Sequence, residues 1–467
     1  MVAQKQKADF TQGKLFAKIF WFVLPIVATN LLQTFYNAAD MMVVSLSSEA
    51  NAVGAVGVTG SFIHLIVNIF IGFSVGANVV VARHIGAGNA EGKQKAIHTS
   101  LIIGLFFGVV GAAVGAAISR PVLKAMGATG NLIDLAVKYT YFYFAGVPFL
   151  ALTNYLIAIF RAKGDSKIPL IVLSLAGLVN VGLNLLFVLA VDMSVEGVAL
   201  ATAIANILSF IVLLVKLRMD GDFSFHRLKT DKKSLKDIVL IGLPAAIQGA
   251  IISFSNILIQ SSIVTVNNNV CPPDSTYQPV VNGCAAGSNL SAFVYTAQNA
   301  VYQGAITFTS QNMGANKPKR VYSIIGICCL LSTAFGASLA VGIFLCRVPL
   351  LALYGVPVGA AGSLEAIAFD AATVQLSFVC LPYFLCGIME VGSGALRGMG
   401  KSTLSMILML VGSCLLRVVW LLTVFPFKQT LEMVYICYPV TWILTSIAMF
   451  ICTFIILKEK IKCGGNA

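Results

Sequence analysis

The stretch from Leu15 to Leu46, LFAKIFWFVLPIVATNLLQTFYNAADMMVVSL, is an apolar run long enough to cross a bilayer, with Pro25 inside it and Asp40 in its outer third. A carboxylate at that depth has no water to solvate it unless the fold builds a cavity around it. Placing Asp at the centre of a spanning helix costs roughly 2.5–3.5 kcal/mol, so such a group persists where it is paired, hydrated or used. Two readings follow. One is a helix-end Asp whose carboxylate snorkels to the outer headgroups; the other is a titratable coupling site in a transporter. The depth of Asp40 favours the second.

Composition makes this run one of many. Of the 467 residues, 58% are hydrophobic and only 10% charged, and mean hydropathy is +0.90. Soluble domains carry about a quarter charged residues, so the chain is read as a polytopic membrane protein. Apolar runs of about 20 residues predict about twelve helices. In the first half they are Leu15–Leu46, Ala52–Ala82, Ala96–Ser119, Leu132–Phe160, Ile168–Val191 and Val195–Leu217. In the second they are Ile238–Val266, Leu290–Met313, Val321–Leu345, Ala366–Val391, Thr403–Val424 and Met433–Leu457. The predicted organisation is an all-α N-lobe over 1–217, a charged cytoplasmic linker over 218–237, and a C-lobe over 238–467 with an external loop at 267–289.

The net charge of +13 does not gather on one surface. Lys and Arg fall in short loops between the apolar runs, which argues against a nucleic-acid partner. One set of loops takes most of them: Lys5, Lys7, Lys14 and Lys18, then Arg83, Lys93 and Lys95, Arg161, Lys163 and Lys167, the linker, Lys317, Lys319 and Arg320, Arg397 and Lys401, and Lys458, Lys460 and Lys462. By the positive-inside rule both termini are cytoplasmic and the 267–289 loop faces outward. The polar start MVAQKQKADFTQGK runs into a segment too long for a signal h-region, so no cleavable signal peptide is expected.

The two halves echo each other. Gly76-Ala77 and Gly86-Ala87 match Gly304-Ala305 and Gly314-Ala315, each 228 residues on. FRAKGDSKIPLI (Phe160–Ile171) matches LRGMGKSTLSMI (Leu396–Ile407), and Leu24-Pro25 matches Leu243-Pro244, which sets Asn37 opposite Asn256. Six helices per half is an even number, so both halves insert the same way up and are expected to be related by a pseudo-two-fold axis along the membrane normal. Asp40 falls opposite Ile259. The coupling chemistry is therefore placed in the first lobe.

Other motifs carry less. GMGKS at Gly398–Ser402 resembles the end of a phosphate-binding loop, but the required first glycine is Ala395 and no strand precedes it, so no nucleotide is expected. GAGNAEG at Gly86–Gly92 reads as a short cytoplasmic turn. The four histidines, His64, His84, His98 and His226, lack metal-ligand spacing, and His64 is expected to be a core residue. No metal site, catalytic group or cofactor is expected. Glu390 is a second carboxylate at membrane depth; pairing with Arg397 is one reading and a role in an inner gate the other. Arg417 is the basic residue deep in an apolar span and is expected to find an acceptor in a structural role.

Eleven cysteines are present, and most lie in apolar segments as small hydrophobes. Cys271 and Cys284 stand instead in the polar stretch NNNVCPPDSTYQPVVNGCAAGSN, where an external loop would favour a disulfide between them.

Candidate partners for Asp40 come from the fifth and sixth helices. Asn180 and Asn184 lie four apart on one helix face, and Thr202 sits in ALATAIAN. On the first helix Tyr36 precedes Asp40 by one turn and Gln33 by two. Such polar groups also serve as glue between helices. Together they would surround a carboxylate with amides and hydroxyls, an environment in which H+ or Na+ can come and go.

LPIVATNLLQTFYNAADMMVVS, the paired turns ending GAGN and GANK, FRAKGDSKIP and ALRGMGKS resemble the multidrug and toxic compound extrusion (MATE) family, in its DinF-like prokaryotic branch. The resemblance runs essentially end to end. It implies twelve helices in two lobes that open alternately, and export of amphipathic, often cationic, compounds against inward H+ or Na+. It implies a first-lobe network at Gln33, Tyr36, Asp40, Asn180 and Thr202, a bending point at Pro25, and a cavity asparagine at Asn154; ion coupling is accordingly expected at Asp40, Asn180, Asn184, Thr202 and Tyr36, and a substrate cavity at Gln33, Asn154 and Asp40. The branch usually carries a second carboxylate where this chain has Asn184, which weakens two-proton exchange. The acidic pair that other branches place in the second lobe is not evident; the seventh helix offers Gln248. The expected protein is a monomeric multi-pass antiporter of the cytoplasmic membrane, with small-molecule substrates and lipid as its partners. The alternative is a flippase for a lipid-linked sugar precursor. An enzyme or receptor would need a catalytic dyad or a large folded extramembrane domain.

Overall fold

A computed structural model of the chain describes residues 9–47, 49, 52–126, 130–224, 229–271 and 278–464. Lys5, Lys7, His226 and the middle of the 267–289 loop lie outside the described residues. What is described is 87% helix, with no strand among the described residues. The first half holds α1 (Leu15–Val44), α2 (Ala52–Gly86), α3 (Ala90–Ala125), α4 (Gly130–Ala162), α5 (Lys167–Leu185) and α6 (Val195–Met219). The second holds α7 (Lys232–Val270), α8 (Pro279–Gly314), α9 (Pro318–Leu345), the short α10 (Arg347–Leu353), α11 (Leu364–Gln375), α12 (Tyr383–Gly398), α13 (Ser402–Met409), α14 (Leu416–Thr423), α15 (Leu431–Tyr435) and α16 (Cys437–Gly464). Segments of π-helix extend α5 over Leu186–Ala190, join α11 to the turn before α12 over Leu376–Cys380, and join α13 to α14 over Leu410–Leu415.

Eleven of the described helical segments are long and apolar enough to cross a membrane. α8 falls short in hydropathy rather than length. Its 36 residues include Gln298, Thr307, Thr309, Ser310, Gln311 and Asn312, all buried inside the protein, so its polarity is turned inward. The same helix corrects the expected external loop. α7 continues to Val270 and α8 begins at Pro279, and the backbone N–H of Val280 donates to Asn267 Oδ1 at 3.2 Å. Asn and Gly at the ends of long helices read as loop in the sequence because they sit where the hydrocarbon ends.

The disulfide expectation is corrected too. Cys271 and Cys284 are both free and both buried. Cys271 closes the end of α7, its N–H donating to Asn267 O at 2.8 Å, while Cys284 lies within α8 and its thiol pairs with the Tyr435 hydroxyl. Helix formation gives each thiol its own packing site. His64 is likewise not a core residue; it is exposed on α2.

The chain packs as two compact units. The first takes in Met1–Lys14, Leu24–Gly249 and Ser310–Lys317; the second takes in Leu15–Val23, Ala250–Thr309 and Pro318–Ala467. The start of α1 thus belongs to the second unit and the start of α7 to the first. Small residues carry these assignments: a Cβ at Gly76 would meet the backbone of Ile238 and Gly242, and one at Gly304 would meet Val23. The division passes through α1 just before Pro25. There the ring removes one backbone N–H from the helix ladder, and Thr29 Oγ1 donates to the Pro25 carbonyl at 2.8 Å.

In the first unit α4 is the central element, apolar on nearly every side and packed against α2, α3 and α6. Gly146 lets α4 approach Ala203 of α6, and Gly108 lets α3 approach Pro148 of α4. The repeat seen in the sequence is also a repeat of backbone. Gly88 (φ 65) and Asn316 (φ 53) hold left-handed turns 228 residues apart, and Gly164 (φ 81) corresponds to Gly400 (φ 79). Gly86 packs on the backbone of Gln311, and Gly314 on the backbone of Arg83, which is the same contact with the repeats exchanged.

The chain ahead of α1 is tied down. Phe10 is buried, its N–H donates to Gln311 Oε1 at 3.4 Å, and its carbonyl accepts from Asn312 Nδ2 at 3.2 Å. Lys317 Nζ donates to the Thr11 carbonyl at 3.0 Å. After α6, Asp220 and Asp222 gather lysines from α3, from α6 and from the turn after α4. Lys163 lies 2.7 Å from each, Lys216 2.8 Å from Asp220, and Lys93 reaches Asp222 at 2.5 Å.

In the second unit α12 packs between α9 and α16, and the π segment before α14 lies on α16 where Gly412 meets Thr445. A core of Leu290, Val294, Ala340, Leu351, Ala368 and Leu376 joins α8 to α11.

Candidate ion-coupling site

Asp40 sits near the end of α1, half-buried, against α5. Asn184 Nδ2 donates to its Oδ1 at 2.5 Å, and Asn184 itself is fully buried. Asn180, one turn earlier on the same face of α5, satisfies its neighbours when its NH2 is turned to Asp40. In that orientation it donates to Oδ1 at 2.8 Å and its oxygen accepts from Thr202 Oγ1 of α6 at 3.3 Å. The four-residue spacing of the two asparagines thus converges on one carboxylate oxygen. The π segment Leu186–Ala190 follows directly, a local departure from α geometry of the kind often found at functional sites.

One acceptor is left over. Asn184 Oδ1 is buried with no hydrogen-bond donor among the described residues. It is the group to which a protonated Asp40 would donate after small side-chain rotations, or an oxygen for a bound Na+. Asp40, Asn180, Asn184 and Thr202 therefore form one cluster of amide, hydroxyl and carboxylate groups within the first unit.

The other residues named from sequence are placed differently. The Tyr36 hydroxyl donates to the Ser174 carbonyl at 3.1 Å, and its ring covers Gly177 of α5, so it braces α1 against α5 one turn from Asp40. Gln33 is exposed, and Asn154 Nδ2 donates to the Leu150 carbonyl of its own helix at 2.9 Å. Two residues were missed. Tyr139 and Tyr143 of α4 lie close enough to Asp40 to interact with it electrostatically. Their i, i+4 spacing was visible in the sequence, but nothing there said that α4 faces α1.

In the second unit Arg397 is buried, and its Nη1 donates to the Tyr302 hydroxyl, with the guanidinium 5.6 Å from that ring. Glu390, two turns before it on α12, interacts electrostatically with Arg397, Tyr295 and Tyr302. Arg417 is buried as well, bonded through Nε to Thr441 Oγ1 at 3.3 Å.

The family model described as MatE matches residues 25–186 and 276–422, which takes in Pro25, Asp40, both asparagines of α5 and Arg417. The chain belongs to the MatE family. Among MatE relatives, the probable multidrug resistance protein YoeA of Bacillus subtilis is 28% identical over 71% of this chain and 72% of that one. An FAD transporter of Shewanella oneidensis is 25% identical over 64% of each. An outward-facing structure of a multidrug resistance MATE family transporter superposes with a TM-score of 0.86 at 19% identity, covering 98% of this chain and 100% of that one. That likeness shows the MatE fold, with its two lobes of six helices. The expected fold class is thus borne out.

Proposed function

We propose that this MatE chain is a secondary antiporter of the cytoplasmic membrane that exports small amphipathic molecules, cationic ones among them, in exchange for inward H+ or Na+. The observation that carries the reading is Asp40 held by two amides beside the free acceptor of Asn184. The names of the relatives, a multidrug resistance protein and an FAD transporter, support small organic cargo. A family of transporters gives no reason to expect catalysis.

The geometry supports the following cycle. As a carboxylate, Asp40 accepts from Asn184 and Asn180. A proton arriving from outside adds a donor to Asp40 and removes its charge: Oδ1 still accepts, but the amide bonds to it lose their charge assistance, and Asn184 Oδ1 is the acceptor the new O–H can take. Sodium would instead gather the oxygens of Asp40, Asn180, Asn184 and Thr202. Either event changes what joins the end of α1 to α5 and α6, and α1 has its weak point at Pro25. Coupling requires that the ion bind the two transport conformations with different affinity. Glu390 and Arg397 would serve at an inner gate. Both termini are placed in the cytoplasm, and a monomer suffices.

Reconstitution into proteoliposomes tests the reading. Outward movement of a fluorescent amphipathic dye, driven by an imposed pH or sodium gradient and collapsed by the matching ionophore, is the expected result. Dye movement indifferent to both gradients would refute it.

A further inference from the structure

Arg417 is a buried cation without a buried anion. Its residue exposure is 6%, it lies in a membrane-spanning segment, and its guanidinium rests 4.1 Å above the Tyr438 ring. The single hydrogen bond from Nε to Thr441 leaves both terminal amino groups without an acceptor among the described residues. No carboxylate forms an ion pair with Arg417 among the described residues. Glu390, the acid on α12, has Arg397 as its electrostatic partner. A guanidinium at membrane depth is expensive unless compensated; among the described residues it meets the Thr441 hydroxyl, the Tyr438 face and the neutral groups of Tyr383, Cys386, Cys414 and Cys437, and no carboxylate. Arg417 stands two residues after the end of the π segment Leu410–Leu415, as Asn184 stands two residues before the start of another.

The surroundings describe what would compensate it. Tyr438 packs edge-on to Trp442 at 5.5 Å, Trp442 lies 5.1 Å from Tyr383, and Tyr383 lies 6.3 Å from the exposed Tyr295. A run of aromatic contacts, with Trp442 buried in its middle, thus forms a wall from the buried guanidinium to the partly exposed Tyr295. We propose that Arg417 and this wall form an anion-recognition site in the second unit, one that takes planar aromatic molecules bearing a carboxylate, sulfonate or phosphate. The guanidinium fork receives the anion and the rings receive the planar body. The proposal deepens the export reading and rests on it for calling the guest a cargo. The same anionic chemistry is available from a phospholipid headgroup.

Binding without any gradient tests it, so failure here leaves export untouched, and failure of export leaves the binding result standing. The full chain in phosphatidylcholine nanodiscs is titrated into fluorescein, an anion, and rhodamine 123, its cationic relative, and fluorescence polarisation is read. Arg417→Gln should weaken fluorescein binding at least about tenfold while rhodamine 123 binding stays unchanged, and Arg417→Lys should fall between. Should the Gln variant not fold, wild-type protein answers the question: 1-naphthalenesulfonate should displace fluorescein and the neutral 1-naphthalenemethanol should not. Repeating the titration in phosphatidylglycerol nanodiscs separates the sources. Undiminished binding assigns the site to solutes, and loss of binding there assigns it to headgroups; both support an anion site. Absence of fluorescein binding in phosphatidylcholine, binding indifferent to Arg417→Gln, or equal displacement by the two naphthalenes would overturn it.

Discussion

Asn184 places its amide nitrogen 2.5 Å from Asp40 Oδ1 while its own carbonyl oxygen is buried without a donor among the described residues. The pair joins α1 to α5 by a contact that is charge-assisted while Asp40 is ionised and weaker once it is neutral. A change of protonation or occupancy at Asp40 therefore becomes a change in how two helices are held.

Asp40→Asn removes that response and keeps the shape. We expect gradient-driven dye efflux to be lost, with the melting temperature within about 2 °C of wild type. Efflux assays in proteoliposomes and a thermal shift in detergent check both halves. Transport at full rate would refute the coupling role.

Asn184→Ala deletes both the donor and the waiting acceptor. Coupled efflux should fall by about tenfold or more, because a charged group loses a hydrogen bond of about 1.5–3 kcal/mol in a site shielded from water. Rhodamine 123 binding measured without a gradient separates lost coupling from lost substrate affinity, and only the first is expected to change strongly.

A methyl group at Gly177 would collide with the Tyr36 ring. Gly177→Ala should destabilise the protein by about 1–3 kcal/mol through overpacking. Combining it with Tyr36→Ala should recover part of that loss, a non-additivity that chemical denaturation of the four proteins in a mutant cycle would show.

The thiols of Cys271 and Cys284 are free. Under non-reducing denaturing conditions both should take up a maleimide, read by mass spectrometry of their peptides. Reductant should leave the melting temperature unchanged. A peptide pair linked through sulfur would contradict the structure.

Asp220, just beyond the end of α6, is subject to opposing influences. Burial works to raise its pKa, while hydrogen bonds and charges from Lys163 and Lys216 outweigh that and hold it below the ordinary 3.8. A depressed carboxylate stabilises the fold above its unfolded value and loses that contribution as pH falls through the folded one. Asp220→Asn should therefore lower the melting temperature at pH 7, and the gap from wild type should close below about pH 3.8. An equal gap at both pH values would exclude this origin.

Much of the fold was legible because membrane depth writes itself as apolar length. α1 was expected to begin at Leu15, where it does begin; spacing put the two asparagines of α5 on one face, and family likeness pointed that face at Asp40. What failed has a common cause. The polar start of α8 reads as loop, and Cys271 with Cys284 as a bridge, because a sequence does not say where the hydrocarbon stops or that Asn and Ser can face a protein interior. Tyr139 and Tyr143 were missed because the face of α4 is set by its neighbours; apolar on nearly every side, that helix has no periodicity to reveal it. Gln33 and Asn154, expected to line a substrate cavity, make no hydrogen bond to Asp40: Gln33 is exposed and Asn154 bonds within its own helix.

The fastening of Phe10 and Thr11 to the end of α8 has a practical consequence. Two backbone bonds at Phe10, reinforced by Lys317, mean that residues ahead of the first membrane crossing act as a splint for the turn at Asn316. A reporter, affinity handle or truncation that intrudes on Phe10 would disturb a turn three hundred residues away. Labels for measuring motion in this transporter therefore belong after α16, where they leave the splint intact.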